Sequence, residues 1–488
     1  MYVIGIDVGT TGTKAYVLNE AGRVCGQGYK GYSLSPRKGG YVEQNPDDWW
    51  DACVVSVRQA LAAISDTSSV KAISVSTQGG STFVADENGK ALMPAMTWMD
   101  ARAIEEAKEL KSVFASDFLY RKTGWNLNVA MDAAKYLWLK RNRKGLIKNN
   151  NCFVSTIEYI NRKLAGTYVT DPTNAAMRQL MNVTTRDWDA DILNCLELEK
   201  TFLPRISATG TCLGTLRKEA AEALGLHGDV RIFNGAQDQY CAAVGAGAIH
   251  DGDLLLSTGT AWVLLGITDR LLFTDSFVAA GCHAVPGMYG AMATLPIAGA
   301  ALDWFRKGFN ITDYREIDTL CRDRRVNTEG LYFYPYFNGI TFPLWQLNAK
   351  ATIVGLSLEH DRFDVARAVM EGVVFQMKLI LDDYRHNGFD VSAISVMGGA
   401  LKSDLWLSLI ADITGCKINR VKNADAACIG AAFIAGVQSG LYADYESIIT
   451  ATAPLEPAGI VGNGSDYYRN KFEHYRDNWK VIQTIYES

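Results

Sequence analysis

The chain has 488 residues, 48% hydrophobic and 21% charged, and a formal net charge of -5. That length supports two or more domains, each able to bury its own core. The mildly acidic balance counts against a nucleic-acid or anionic-membrane partner. Ten cysteines with no C-x-x-C pair and no Cys/His cluster fit a reducing compartment and count against structural zinc. There is no uncharged apolar run of about 18 residues to cross a membrane. The N-terminus enters a strand at once, without a signal peptide, so a cytoplasmic location is expected.

Residues 2–6 form an apolar strand that ends on Asp7. A Gly9-Thr10-Thr11-Gly12 turn leads into a second strand, 14–18. Gly9 and Gly12 allow tight backbone angles and keep side chains out of the way. The turn's N–H groups and the hydroxyls of Thr10, Thr11 and Thr13 are then free to face a phosphate. Asp7 is placed to hold Mg²⁺ or its water shell, because that ion takes hard oxygen ligands. The design differs from the Gly-rich loops that run into helices. An ordinary hairpin with a Gly-rich turn is the alternative.

A third strand is expected over 24–32, a helix over 46–64 capped by Asn45, and a strand over 70–76 that runs into Thr77-Gln78-Gly79-Gly80. Helices are expected over 101–114 and 130–141, the basic run 140–144 being a solvated helix end, with a loop over 143–151. Residues 166–190, rich in Thr, Asp and Asn, read as an exposed substructure. A short strand at 230–233 precedes Asp238, which falls at a loop-to-helix junction. Backbone N–H bonds and the helix dipole there would keep the carboxylate ionised, as suits a base. A plain helix-capping aspartate is the alternative.

A second unit begins near Asp251. Residues 254–265 repeat the opening design, with Ser257-x-Gly259-Thr260 in register with Asp7-x-Gly9-Thr10. Residues 394–399 echo 73–80. A duplicated βαβ-type domain with the cofactor between the copies follows, the metal lying nearer the first copy because Ser257 replaces Asp7. Residues 364–383 read as a core helix capped by Asp361 and closed by Gly388, with Glu371 a satisfied helix carboxylate. Val396 to Asp404 reads as strand, Gly398-Gly399 turn and a helix 404–414 capped by Ser403 and ended by Gly415. Residues 467–486 read as a packed terminal helix.

Together these residues resemble the FGGY carbohydrate kinases, which have the α/β actin-like (ribonuclease H-like) ATPase fold: two duplicated domains with a catalytic cleft between them. The domains would span 1–247, carrying the sugar and the catalytic base, and 248–488, carrying the nucleotide. The segment Ala351-Thr352-Ile353-Val354-Gly355-Leu356 … Asp364 … Glu371 fits the family's C-terminal signature. Lys135 to Asn142 fits half of its other signature, from which Ala130 and Asp132 depart.

The resemblance implies the following roles. Asp7, Gly9, Thr10, Thr11, Thr13 and Lys14 would form the first phosphate loop, with Asp7 and Asp238 serving Mg²⁺. Asp238 would be the catalytic base. Gly259, Thr260 and Gly299 would contact phosphate, and Gly398, Gly399 and Ala400 the adenosine, with Asp425 to Gly430 entering a helix beside the nucleotide. Gln78, Gly79, Gly80, Trp98, Asp100, Asp238 and Gln239 would line the acceptor pocket.

Gly79 and Gly80 stand where glycerol kinases carry Arg-Glu and typical D-xylulose kinases Met-His, which counts against glycerol and leaves volume for a bulkier acceptor. The segments Thr170 to Ala175 and Thr185 to Trp188 resemble the xylulokinase branch. The expected activity is ATP-dependent phosphorylation of a ketopentose of the D- or L-xylulose type, or else of gluconate, glycerol, a tetritol or a hexulose. An actin- or Hsp70-like ATPase that binds protein is the alternative class, and a non-catalytic sugar-binding regulator a third. The expected partners are the sugar and ATP, with neither nucleic acid nor membrane; a homodimer is left open.

Overall fold

A computed structural model describes residues 1–115, 117–323, 327–423, 425–462 and 466–486. The chain forms two units. The first holds Met1–Ile249, Ala279–Gly290 and Asp425–Pro454; the second holds His250–Val278, Ala291–Ala424 and Leu455–Ser488.

In the first unit, Tyr2–Val8 and Gly12–Asn19 pair as an antiparallel hairpin with Asp7 opposite Lys14. Val70–Thr77 runs parallel to the opening strand and sets Ser76 beside Asp7. The sheet order is Val24–Gly31, Gly12–Asn19, Tyr2–Val8, Val70–Thr77, Arg231–Gln237, Cys212–Thr215. Val3, Ile4, Ile6 and Val8 are all buried, as a strand covered on both faces requires. One cover is the helix Pro46–Leu61, started by Pro46 and capped by Asn45, whose Oδ1 accepts from Asp47 N at 3.3 Å. The other is the apolar helix Ala426–Ser439.

The second unit repeats that order: Tyr289–Leu295, Trp262–Thr268, Leu254–Thr258, Ala393–Gly398, Lys417–Val421, Leu455–Val461. Leu254–Thr258 pairs antiparallel with Trp262–Thr268 and parallel with Ala393–Gly398, as the opening strand does with its neighbours. The duplication inferred from two short echoes is therefore topological. The expected core helix runs over Arg362–His386 with Asp361 as its cap, and the terminal helix over Asp466–Ile482.

Two expectations are corrected. The division at residue 247 assigned everything after it to the second domain, yet Ala279–Gly290 and Asp425–Pro454 fold with the first unit. The reason is close helix packing. A Cβ on Gly430 would stand 1.8 Å from Cys241 O, one on Gly245 2.0 Å from Ala426 O, and one on Gly5 2.0 Å from Cys428 O. Glycines at these crossings let Ala426–Ser439 press onto both the Asp238–Ala246 helix and the opening strand. Gly430→Ala should cost about 1–3 kcal/mol through overpacking, read as a lowered thermal midpoint with the fold retained.

The second correction concerns residues 166–190, which are not an exposed substructure. Asp171 caps the short helix Pro172–Met177 through Thr173 N and Asn174 N, and Thr170, Asp171, Thr173, Asn174, Arg178 and Gln179 are buried. Polar composition suggested solvent; inside the unit Asp171 instead bonds Thr173 and Asn174, and Gln179 Nε2 donates to the carbonyls of Trp125 and Asn126. Arg178 donates to Asp132, to Glu158 at 3.5 Å and to Phe153 O at 2.9 Å.

Candidate active site

In the first unit the site gathers at the carboxyl ends of the central strands. Asp7 Oδ1 accepts from Ser76 Oγ at 2.7 Å, and burial raises the Asp7 pKa above its ordinary value. Gly9 N closes the turn onto Gly12 O at 3.1 Å, and Tyr32 Oη donates to Gly9 O at 2.5 Å. Thr10 and the exposed Thr11 stand at the tip. Thr10 O accepts from Gln44 Nε2 at 2.7 Å, and Thr10 Oγ1 accepts from Trp98 Nε1 at 3.0 Å.

Two residues expected at the phosphate are turned elsewhere. Thr13 is buried beside Tyr32 and Cys53, and its carbonyl accepts from Ser56 Oγ at 3.1 Å. A strand alternates its side chains, so Thr13 faces the core side of the hairpin. Lys14 pairs with Asp425, whose other oxygen accepts from Tyr16 Oη. The Asp425 expected beside the nucleotide is thus the tie between the opening hairpin and the helix Ala426–Ser439.

Asp238 is the first residue of the helix Asp238–Ala246, not its cap. Gln237 is the cap, accepting from Gln239 N at 3.0 Å through Oε1 while its Nε2 donates to Asp238. The structure therefore removes the plain-cap alternative. It also reverses the expected electrostatics. Burial, followed by the negative charge of Asp7, outweighs the hydrogen bonds and pushes the Asp238 carboxyl up to about 7. A half-buried carboxyl poised there has the proton affinity wanted of a general base.

Those two carboxylates also bear on a metal. They repel each other, and both offer hard oxygens. Among the described residues no cluster of three or more His, Cys, Asp or Glu is present. The donor set fits Mg²⁺, which binds through one or two carboxylates and keeps water and phosphate for its remaining ligands.

On the acceptor side, Gln78 N donates to Val8 O at 2.9 Å and Gln78 Nε2 donates to Gln44 Oε1 at 2.9 Å. Gln78 Oε1 and Gln239 Oε1 are buried without a hydrogen-bond partner, as expected of groups that await a polar ligand. Trp98 is 44% exposed although its N–H is bonded, so its ring is open.

The expected free volume at Gly79 is not there. A Cβ on Gly79 would lie 2.3 Å from Met177 Sδ, so Met177 fills that space. Gly80 has φ +69° and would place a Cβ 3.3 Å from Trp98 Cβ. Asp100 is fully committed: it accepts from Val42 N at 2.7 Å, Arg102 N at 3.1 Å, and the Arg102 guanidinium at 2.8 and 2.7 Å. It shapes the loop that carries Trp98.

Three residues have supporting roles that the sequence reading did not assign, although Lys135 and Thr173 lie in segments it singled out. Gln44 links Thr10 to Gln78, Lys135 is buried behind Gly80, and Thr173 Oγ1 accepts from Gln237 N at 2.8 Å. Thr173 had a local structural signal, the Asp-Pro-Thr helix start, and Lys135 opens the segment that fits the family signature.

In the second unit a cavity of about 710 Å³ is lined by Thr258, Gly259, Thr260, Gly299, Gly399 and Ala400, with Tyr314, Asp318 and Trp406 among its other walls. That size suits a drug-sized or nucleotide ligand. Its floor is tightly bonded. Thr258 Oγ1 donates to Met397 O at 2.5 Å and accepts from Ala400 N at 2.9 Å, while Ala298 N and Ala300 N donate to Thr260 O at 3.2 and 3.1 Å. Gly398 has φ +88°, and a Cβ there would lie 2.1 Å from Thr258 O. Gly398→Ala should therefore raise KM for ATP by about tenfold, one to three kcal/mol of strain being set at the pocket floor; an unchanged ATP affinity by titration would refute this.

Against family models, residues 2–245 match the N-terminal domain and residues 254–439 the C-terminal domain of the FGGY family of carbohydrate kinases. The chain belongs to the FGGY family of carbohydrate kinases. As such it is an ATP-dependent sugar kinase. It is 28% identical to a xylulose kinase of Bacillus subtilis, over 98% of this chain and 97% of that one. It is 27% identical to a glycerol kinase of Thermococcus kodakarensis, over 92% and 90%. A crystal structure of a gluconate kinase from Lactobacillus acidophilus superposes with a TM-score of 0.92 at 28% identity, covering 100% of this chain and 99% of that one. Among the described residues no helix is long and apolar enough to cross a membrane.

Proposed function

We propose that this FGGY kinase transfers the γ-phosphate of ATP to a hydroxyl of a ketopentose of the D- or L-xylulose type. The observation that carries the chemistry is Asp238: it is released from capping by Gln237, half-buried, and raised toward neutrality by burial and by Asp7. It accepts the proton of the acceptor hydroxyl and aims that oxygen at the phosphorus. Gln78 and Gln239 supply carbonyl oxygens for sugar hydroxyls, and the open Trp98 ring gives the carbon face a surface. The Gly9-to-Thr11 turn holds phosphate through backbone N–H groups, and the cavity lined by Gly259, Gly299 and Ala400 takes the nucleotide. Mg²⁺ held by Asp7 and Asp238 would neutralise phosphate charge.

Full-length xylulose kinase relatives, and Gly79-Gly80 where glycerol kinases carry Arg-Glu, favour a ketopentose over glycerol. Because Met177 fills the space at Gly79, the preference rests on polar groups and not on extra volume. A coupled ADP-release screen over ketopentoses, hexuloses, polyols, gluconate and glycerol decides it. D- or L-xylulose should give the highest kcat/KM; a higher value for glycerol or gluconate would overturn the acceptor assignment and leave the kinase.

A further inference from the structure

The least expected buried group in the first unit is Lys135, on the helix Asp132–Asn142. Its side chain has no solvent exposure, and among the described residues its ammonium pairs with no carboxylate. It spends its three N–H donors on backbone carbonyls: Gly80 O at 2.7 Å, Thr97 O at 2.9 Å and Met96 O at 3.1 Å. Burying a cation without a counter-charge in contact is costly, and a space-filler in that position would be apolar. The carbonyls it gathers come from two segments that flank a pair of neighbouring strands, Thr82–Asp86 and Ala95–Met96. One ends the Gln78-Gly79-Gly80 turn; the other is the pair of residues immediately before Trp98. A Cβ on Gly80 would lie 3.3 Å from Trp98 Cβ, so the space between the two residues is already closed.

We propose that Lys135 is a positioning residue for the carbohydrate acceptor, clamping the Gly80 and Met96–Thr97 backbones together so that the Gln78 amide and the Trp98 ring keep a fixed spacing. This rests on the reading that Gln78 and Trp98 line the acceptor pocket. Lys135 touches neither substrate. Its effect falls mainly on the sugar: the cavity that takes the nucleotide is lined by the second unit's residues, and Lys135 does not touch the Gly9-to-Thr11 turn, which holds phosphate through its own backbone N–H groups.

The test uses the full-length enzyme, ATP and D-xylulose, replaced by whichever sugar leads the screen. In Lys135→Met and Lys135→Gln, KM for the sugar should rise about tenfold or more, a misplacement effect, while KM for ATP stays within about twofold. In a cycle with Trp98→Ala, the double variant should be no worse for sugar KM than the worse single one, because both changes spoil the same contact. An unchanged sugar KM in Lys135→Met, full additivity with Trp98→Ala, or an equal rise in both KM values overturns the proposal. If Trp98→Ala alone leaves sugar KM unchanged, the acceptor-pocket reading itself fails, and the proposal with it.

Should both lysine variants fail to fold, the unmutated enzyme supplies the readout. Asp132 on the same helix and Asp100 favour the charged lysine, Arg102 and Arg178 oppose it, and burial dominates, pushing Lys135 down to about 8. Above that pH the amine has two N–H donors for three carbonyls. Sugar KM should then rise between about pH 7.5 and 9 with ATP KM flat, following that titration. A sugar KM flat across that range overturns the proposal.

Discussion

Asp238→Asn should still bind ATP, with Asp7 left as the carboxylate for Mg²⁺, yet lose at least about 10² in kcat, the lower end of what a positioned general base contributes. The substitution is nearly isosteric, and the helix start does not depend on it, because Gln237 accepts from Gln239 N and so caps the helix. Asparagine keeps an oxygen to accept the acceptor hydroxyl's hydrogen bond but cannot take its proton. It also removes the repulsion between Asp238 and Asp7, so the variant should be at least as stable to heat. ATP affinity by calorimetric titration, kcat by ADP release and a melting curve separate these effects. Near-normal turnover, with folding and nucleotide affinity intact, would remove Asp238 from the chemistry.

Glu371→Ala should have the largest effect on stability. Glu371 is buried in the helix Arg362–His386 and accepts from Lys471 Nζ at 2.6 Å, Arg367 Nε at 3.1 Å, Tyr468 Oη at 3.1 Å and Thr328 Oγ1 at 3.2 Å. Lys471 is itself buried, so among the described residues its ammonium would be left with the carbonyl of Thr328 and the rings of Tyr332 and Tyr467. Breaking a buried pair from one side costs about 3–5 kcal/mol, a large part of a domain's roughly 5–15 kcal/mol. The thermal midpoint of the second unit should fall by roughly 6–20 °C. The double change Glu371→Met with Lys471→Met should recover much of the loss, because replacing both charges by apolar groups removes the uncompensated one. A midpoint within about 1 °C of the unaltered protein would show that the knot adds nothing.

Local signals were read well wherever the chain states its own geometry. Asn45, Asp361 and Ser403 cap the helices they were expected to cap, and Gly415 ends one in the left-handed region with φ +74°. Each is a contact between residues a few positions apart, and the types permitted there are few. The parallel between Asp7-x-Gly9-Thr10 and Ser257-x-Gly259-Thr260 was legible for the same reason, and it carried the duplicated topology with it. The misreadings share one cause as well. Thr13 and Lys14 are in the right motif but point into the core and at Asp425; Gly79 looked like free space until Met177 occupied it. Which neighbour a side chain meets from a distant part of the chain leaves no local trace.

By itself, then, the sequence determined the family and the two Gly/Thr hairpins, and singled out Asp238 as the candidate base, because backbone turns and loop-to-helix junctions are written in a handful of adjacent residues. The tertiary structure alone decided that Asp425–Pro454 folds with the first unit, that Gln237 and not Asp238 caps the helix, and that the Asp238 carboxyl is raised to about 7. Each of those depends on burial and on charges brought together from distant parts of the chain, and desolvation exists only once the chain has packed.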